Sequence, residues 1–311
     1  PGGLELVRQH LSTIESPLTR ALVWGAAWDA TRDAEWRPDV LLDLIATHAA
    51  SESVIGVLTP LLGHATTSIE SLSAPAARAA RRENFSAAAW AQALAQPPGS
   101  DTQLAWFRAW TRSARAASEL DRLLAVLDGA APDGIAIDND VRWAALGTAA
   151  QLPELDDTTF ERLLAAECQR DPSDDGSRRA LALRCSRPSA DAKAAAWAEA
   201  LSPAALTRRE AALAGMWNNE QLHLLDDYAA KYFETIEAWA ALPGETGLRL
   251  IETAYPHVLA SDALVTQTLA AARGATPAVA RVLIEAADAV ERVLRCRAAD
   301  ATPVDREEVR P

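Results

Sequence analysis

The amino-acid sequence predicts an all-α protein made of antiparallel helix pairs. Hydrophobic residues make up 49% of the 311 residues and charged residues 23%, a globular composition that can bury a full core. Abundant Ala and the scarcity of β-branched runs favour helices over strands. Apolar residues recur at helical spacing in about fifteen segments of roughly 10–20 residues, joined by short links. Because one helix pair cannot bury its apolar stripe alone, neighbouring pairs are expected to stack into a curved solenoid.

The most informative predicted helix begins at Ser16-Pro17. The Ser hydroxyl can cap the helix, and Pro at the first helical position loses no hydrogen bond. Trp24 and Trp28 lie one turn apart, so both indoles are expected to anchor the helix in the core. Gly25 lies between them, where a helix former is preferred by about 1 kcal/mol, and is interpreted as a contact with another backbone. The residues that recur at helical spacing are Leu18, Ala21, Leu22, Gly25, Trp28 and Arg32.

The remaining helices follow from caps, turn residues and apolar spacing. Four later starts are predicted at Asp138, at the capping box of Thr158 and Glu161, at Ser202-Pro203 and at Thr276-Pro277. Pro60 is expected to kink or split its helix. The last helix carries an apolar stripe at Leu283, Ala287, Val290 and Leu294. The other predicted ranges are 4–14, 39–49, 54–72, 75–95, 101–117, 120–127, 138–151, 176–185, 190–201, 219–242, 245–255 and 262–273.

One stretch carries a family resemblance. The pattern from Arg20 to Asp33, RALVWGAAWDATRD, resembles the signature of the C-terminal helical domain of zinc aminopeptidases of the aminopeptidase N family, which the endoplasmic-reticulum aminopeptidases share. Six further segments match the bacterial branch of that family in the same order. They are ESVIGVL from Glu52, PGSDTQLAW from Pro98, GIAIDNDVRWAAL from Gly134, KAAAW from Lys193, YAAKYF from Tyr228 and ERVLRCRAAD from Glu291.

The resemblance implies a fold and a role. The fold is a superhelical bowl of stacked antiparallel helix pairs, a HEAT/armadillo-like α-solenoid. Residues 1–300 would form a single C-terminal helical domain, with a sub-division near 128–138 as the alternative, and residues 301–311 a flexible tail. The parent would be a zinc metallo-aminopeptidase of the alanyl or lysyl type that removes N-terminal residues from peptides. This chain, the last third, would be its non-catalytic cap, enclosing the active-site chamber and limiting substrate size.

The sequence itself offers no catalytic or metal site. Zinc binding in this class needs HExxH, two His one turn apart on a helix, and none of the five histidines has a second His at i+4. The family resemblance implies that zinc is bound in the parent enzyme, outside this chain. The only Met lies in Gly215-Met-Trp-Asn-Asn, which lacks the Glu of the family's substrate-gripping motif, and is interpreted as a helix junction.

Three signature residues are candidate contacts. Arg20, Asp29 and Arg32 are expected either to face the inner surface, where they would meet peptide or the catalytic domain, or to form ion pairs with neighbouring helices. The partners that the resemblance implies are the upstream catalytic domain of the same polypeptide and peptide substrates.

Charge and cysteine content restrict the partners and the compartment. A net charge of −13 argues against nucleic acid and anionic membranes as partners. Three widely spaced cysteines without a CxxC indicate a reducing compartment, and we expect a cytoplasmic protein. The chain lacks an initiator Met, which is typical of a piece of a longer protein. The rival hypothesis is a stand-alone α-solenoid that serves as a protein-interaction scaffold.

Overall fold

A computed structural model describes residues 2–302, and the predicted all-α class is confirmed. The described residues form sixteen α-helices and no strand. The bowl-shaped solenoid stays a prediction. The helices are α1 Gly2–His10, α2 Pro17–Arg32, α3 Pro38–His48, α4 Ile55–Thr67, α5 Pro75–Ala95, α6 Asp101–Ser113, α7 Leu120–Leu127, α8 Asn139–Ala149, α9 Asp157–Arg170, α10 Asp174–Ser186, α11 Ala190–Leu201, α12 Leu206–Met216, α13 Tyr228–Ala240, α14 Thr246–Thr253, α15 Asp262–Gly274 and α16 Pro277–Ala301.

Two predicted helix starts are confirmed by their caps. The Ser16 hydroxyl accepts a hydrogen bond from the backbone N–H of Thr19, and Pro17 is the first residue of α2. The Asp138 carboxylate accepts from the backbone N–H of Val141 at 2.8 Å and begins α8. Each oxygen satisfies an N–H that has no partner inside the first turn.

Two other predicted starts are wrong. Asp156 caps α9 through the backbone N–H of Thr159 at 2.9 Å, so the Thr158 and Glu161 pair lies inside the helix and is not a capping box. The Ser202 hydroxyl accepts from the backbone N–H of Ala204 and closes a local turn. Helix α12 begins only at Leu206.

Two predicted helices differ from the prediction in where their regular α-helical backbone ends or begins. Helix α4 is not split at Pro60, and the change of winding comes later, as a π-helical turn at Ser68–Leu72. The predicted helix over 219–242 is interrupted. A 3₁₀ segment at Asn219–Leu224 contains non-helical backbone at Gln221, and α13 begins only at Tyr228.

The chain divides into two compact units. Within residues 2–302, unit 1 contains residues 2–113 and 292–302, and unit 2 contains Ala114–Glu291. The boundary at Ser113 lies before the turn-rich segment 128–138, and a single domain over 1–300 stays a prediction. The predicted flexible tail, 301–311, lies outside the described residues except for Ala301 at the end of α16 and Thr302.

Unit 1 is centred on the pairing of α5 with α6. Trp90 of α5 packs against Phe107 and Trp110 of α6, with ring centroids 6.2 and 4.7 Å apart. The Gln103 side chain amide donates to the carbonyl of Ala93 at 3.1 Å and joins the two helices at their connection. These large rings pack in a core that also contains buried aliphatic side chains, among them Leu41, Leu44 and Leu61.

Unit 2 contains two close helix approaches at glycine. A Cβ on Gly215 of α12 would overlap the backbone of Ala182 in α10, and a Cβ on Gly247 of α14 would overlap the backbone of Trp239 in α13. Only glycine permits such backbone contact. The predicted helix junction at Met216 fits the structure, because α12 ends there and Asn218 caps the next segment.

Candidate functional site

The surface of α2 is the candidate functional site. Leu18 and Leu22 lie one turn apart on this helix, and their exposed fractions are 70% and 67%. Single exposed leucines are ordinary, whereas two on one helix face form a small continuous apolar surface. The sequence pattern predicts both leucines on the buried stripe. In the structure the buried residues of α2 are instead Trp24, Ala27 and Thr31.

A groove of about 160 Å³ runs between α2 and α4 beside these leucines. Gly25 of α2 and Gly56 of α4 both line it, and a Cβ built on either would meet nothing within 4 Å. The interpretation of Gly25 as a backbone contact is therefore wrong, since no segment within residues 2–302 fills the space in front of it. The residues that line the groove are Ala21, Trp24, Gly25, Gly56, Val57, Pro60, Leu61 and His64.

Arg20 holds α2 against the segment that precedes α4. Its guanidinium donates to both carboxylate oxygens of Glu52 at 3.0 Å, and also to the carbonyl of Ile14 at 2.8 Å. This is one of the two arrangements expected for Arg20, an ion pair with a neighbouring element. A bidentate pair of this kind fixes geometry as well as charge.

Glu52 is the centre of this arrangement. Burial alone would raise the pKa of its carboxyl, but hydrogen bonds from Arg20, the backbone N–H of Val54 and the side chain of Trp24 hold that pKa below its ordinary value. Glu52 therefore stays ionised and aligns α2 through two signature residues at once. Glu52 lies in ESVIGVL, one of the segments that resemble the aminopeptidase family, but the sequence does not reveal this role. The only signal for it is a carboxylate within an otherwise apolar segment, which needs a buried cation as partner.

Asp29 and Arg32 lie at the other end of α2. Arg32 pairs with Asp29 at 3.3 Å and with Asp33 at 3.4 Å, and all three side chains are largely exposed. Nine residues separate Arg20 from Asp29, about 14 Å along a helix axis. The structure therefore does not bring the three candidate residues together, and the role of Asp29 and Arg32 in contacting peptide or another domain stays a prediction.

Trp28 stacks on His64 near the groove. The ring centroids are 4.1 Å apart and the rings are nearly parallel, with an interplanar angle of 2°. Burial lowers the pKa of His64, although the nearby Asp29 carboxylate opposes this shift. Trp28 is only half-buried, so the expectation that it anchors the core as Trp24 does is wrong.

No described residues fit a zinc site. Within residues 2–302 no group of three or more His, Cys, Asp or Glu side chains is placed to hold a metal ion. His48 is used structurally, since its ring nitrogens contact the Ser12 hydroxyl at 2.9 Å and the Arg8 carbonyl at 2.8 Å. The catalytic zinc of an aminopeptidase therefore has no ligand set here.

A family model described as ERAP1-like C-terminal domain matches residues 1–292. The chain belongs to this family. It is also similar to Aminopeptidase N of Streptomyces lividans, with 35% identity over 308 residues, and the match covers 97% of the chain. The chain spans 36% of the length of that relative and matches its C-terminal part.

The helices give no sign of a membrane span. No helix in the described part of the chain is both long enough and apolar enough to cross a lipid bilayer.

Proposed function

We propose that the chain is the non-catalytic C-terminal helical cap of a zinc-dependent aminopeptidase N that removes N-terminal residues from peptides. The observation that carries this proposal is the match of nearly the whole chain to the C-terminal part of an Aminopeptidase N, of which it spans about a third. In this proposal the zinc and its ligands belong to polypeptide upstream of this chain. The lack of a fitting donor set in residues 2–302 supports that assignment.

The partner proposed for the α2 surface is the upstream catalytic part of the same polypeptide. Leu18, Leu22 and the adjoining groove form an apolar surface that a second folded part would cover. Burying one leucine side chain fully is worth about 1.5–3 kcal/mol, so both together would contribute substantially to docking. Arg20 and Glu52 hold the helix in place, which keeps this surface preformed.

The role proposed for the cap is to enclose the active-site chamber. An enclosed chamber admits short peptides and excludes folded proteins, and it strengthens electrostatic interactions at the metal because water is excluded. Opening and closing of the cap would gate substrate entry and product release. The cytoplasm is the proposed location, supported by three free cysteines, which suit a reducing compartment.

The first experiment reads the coding sequence upstream of Pro1. It should encode an HExxH helix followed by a further Glu, the ligand set and base that zinc hydrolysis needs. An upstream sequence with no such motif would favour the rival function, a stand-alone scaffold that uses the same apolar surface for another protein.

The second experiment tests docking in the full-length polypeptide. Leu22→Glu should accelerate limited proteolysis at the junction with this chain about tenfold, because a charge replaces an apolar contact; tenfold corresponds to about 1.4 kcal/mol. The matched control is Leu94→Glu, at an exposed leucine of α5, which should leave the proteolysis rate unchanged. Equal rates for the two variants would contradict the docking proposal.

A further inference from the structure

One helix of unit 1 lacks acidic and strongly basic side chains. Of the sixteen α-helices among the described residues, α4 alone contains no Asp, Glu, Lys or Arg. It is nevertheless a surface helix, because exposed residues recur along it at every turn. We call these residues the α4 face, and they are Ile55, Gly56, Thr59, Pro60, Gly63 and Thr67. An exposed helix face normally carries charged side chains, whereas the centre of a protein interface is depleted of them.

Two glycines on the α4 face are unfavourable for the helix that contains them. Glycine is less favourable than alanine at an exposed interior position of a helix. Within residues 2–302 no packing compensates for this, since a Cβ on Gly56 or Gly63 would meet nothing within 4 Å. Gly215 and Gly247 differ, because a Cβ there would overlap the backbone of a neighbouring helix. The space in front of Gly56 and Gly63 is therefore open to a backbone that the described residues do not supply.

A groove follows each side of α4. The groove between α2 and α4 contains Gly56 and Pro60. A second groove, of about 230 Å³, lies between α4 and α6 and contains Thr59 and Gly63. The charged residues that line this second groove all belong to α6 and are Asp101, Arg108 and Arg112. The α4 face therefore continues the uncharged surface beside Leu18 and Leu22, and charged side chains line the surface again at α6.

We propose that the α4 face packs against an uncharged segment of the upstream catalytic part of the same polypeptide, with the backbone of that segment against Gly56 and Gly63. This inference rests on the proposed function, which assigns the α2 surface to that partner, and it extends the contact across α4 to the edge of α6. The chain matches the C-terminal part of Aminopeptidase N and spans 36% of its length, so most of that relative lies ahead of the matched part. Glycine at the contact permits the close backbone approach that a side chain would prevent.

The first test combines Gly56→Ala and Gly63→Ala in one variant. In the isolated chain this variant should raise the melting temperature by roughly 2–5 °C, because alanine favours the helix and meets no obstacle. In the full-length polypeptide it should accelerate limited proteolysis at the junction with this chain about fivefold, because two methyl groups occupy the space of the partner's backbone. The matched control is Gly274→Ala in α15, where a Cβ also meets nothing within 4 Å and the proteolysis rate should not change.

The second test places a charge on the α4 face. Thr59→Glu should accelerate proteolysis at the junction about tenfold, because docking would remove the new carboxylate from water. Thr266→Glu, at an exposed threonine of α15, is the matched control and should have no effect. Both variants should keep the melting temperature of the isolated chain within about 2 °C of the unaltered value, since both positions are exposed.

Leu22→Glu separates this inference from the function on which it rests. If Leu22→Glu accelerates proteolysis and the α4 variants do not, the partner docks on α2 alone and the inference is overturned. If neither Leu22→Glu nor the α4 variants accelerate it, the docking proposal fails as well. An isolated chain that dimerises, and that Thr59→Glu returns to a monomer in analytical ultracentrifugation, would assign the α4 face to a second copy of this chain and would also overturn the inference.

Discussion

Trp24 and Trp28 show how differently two residues one turn apart can be used. Trp24 is buried and its side chain contacts the Glu52 carboxylate, whereas Trp28 is half-buried and stacks on His64 at the surface. Both occur in the segment that carries the family signature. Helical spacing alone could not separate them, because both faces of α2 carry apolar residues.

The two tryptophans should therefore differ in their effect on stability. Trp24→Ala should lower the free energy of unfolding by about 3–5 kcal/mol, the cost of a large cavity in a packed core. Trp28→Ala should cost only about 1–2 kcal/mol, because part of the ring is already in contact with water and only stacking and partial burial are lost. Urea denaturation of both variants checks this. Equal losses would show that Trp28 is as much a core residue as Trp24.

Lys193 is a second residue whose environment the sequence could not reveal. It occurs in the KAAAW segment of α11 and is fully buried, and its ammonium donates to the carbonyl of Cys185 at 3.0 Å. Burial lowers the pKa of Lys193 to about 8. The unfolded chain therefore binds this proton more tightly than the folded one between about pH 8 and pH 10.4.

This shift predicts a pH-dependent difference between the unaltered chain and Lys193→Met. The burial penalty is fully present below pH 8 and is relieved as pH rises toward 10, so the unaltered chain should gain about 2 kcal/mol relative to the variant between pH 7 and pH 10. Urea denaturation of both proteins at the two pH values measures the difference. The titration of Cys185 cancels to first order, because both proteins contain that thiol. A stability difference that does not change with pH would contradict the assigned pKa.

At the scale of elements, the sequence predicted the range of a helix well where turn residues bound the helix on both sides, whereas a possible cap alone was not sufficient. A Ser-Pro dipeptide begins a helix at Ser16, but the same dipeptide forms only a local turn at Ser202. The Ser16 hydroxyl accepts from an N–H three residues later, whereas the Ser202 hydroxyl accepts from an N–H two residues later. No feature of the dipeptide itself encodes that choice. The ranges of α5, α7 and α11 match the prediction, since turn residues bound each of them clearly.

Burial was predictable only where one face of a helix carries all the apolar residues. In α16, Leu283, Ala287 and Val290 are buried as their spacing predicts, although Leu294 is only half-buried. In α2 the apolar residues surround the helix, so the sequence did not reveal which face would be exposed. The candidate surface at Leu18 and Leu22 therefore needed tertiary information, as did the pairing of Arg20 with Glu52.

The C-terminal end of α16 is held by one buried carboxylate. Asp300 accepts from the Arg81 guanidinium and from the backbone N–H of Ala74, all at 2.7 Å. Burial would raise the pKa of Asp300, but these hydrogen bonds hold that pKa below its ordinary value. The stability that Asp300 contributes is thus present above about pH 4 and is lost as pH falls through its folded pKa.

Asp300→Asn should release this end of the helix. Removing one partner of a buried ion pair costs at most about 3–5 kcal/mol, because Arg81 keeps only a longer ion-pair contact of 3.9 Å with Asp39. Cys296 lies one turn earlier and is fully buried, with its thiol near the carbonyls of Thr31 and Arg32. Its labelling by a thiol reagent should therefore accelerate at least tenfold.

The matched control is Glu291→Gln, which removes the same charge from an exposed position of α16 and should leave the labelling rate unchanged. Similar rates for the two variants would show that Asp300 does not hold the helix end.

At the scale of the whole molecule, the chain belongs to the ERAP1-like C-terminal domain family, and within residues 2–302 no cluster of side chains is placed to hold a metal ion. The five histidines are dispersed along the sequence, and none is followed by a second His one turn later. The ring nitrogens of His48 form hydrogen bonds with the Ser12 hydroxyl and the Arg8 carbonyl. The ring of His64 stacks on Trp28. Because the described part of the chain contains no cluster of metal ligands, we expect the net charge of −13 to attract divalent cations only diffusely.

We therefore expect zinc to have no effect on the stability of the isolated chain. A ligand present at 100 times its dissociation constant stabilises the folded state by about 2.7 kcal/mol, which would raise the melting temperature of a chain this size by several degrees. Equimolar zinc, or a chelator in its place, should instead change the melting temperature by less than about 1 °C, since nothing specific is bound or removed. The same preparation should release no fluorophore from an aminoacyl-coumarin substrate. A rise in melting temperature that saturates at one equivalent of zinc, with turnover that persists through purification, would place the metal centre in this chain and overturn its assignment as a non-catalytic cap.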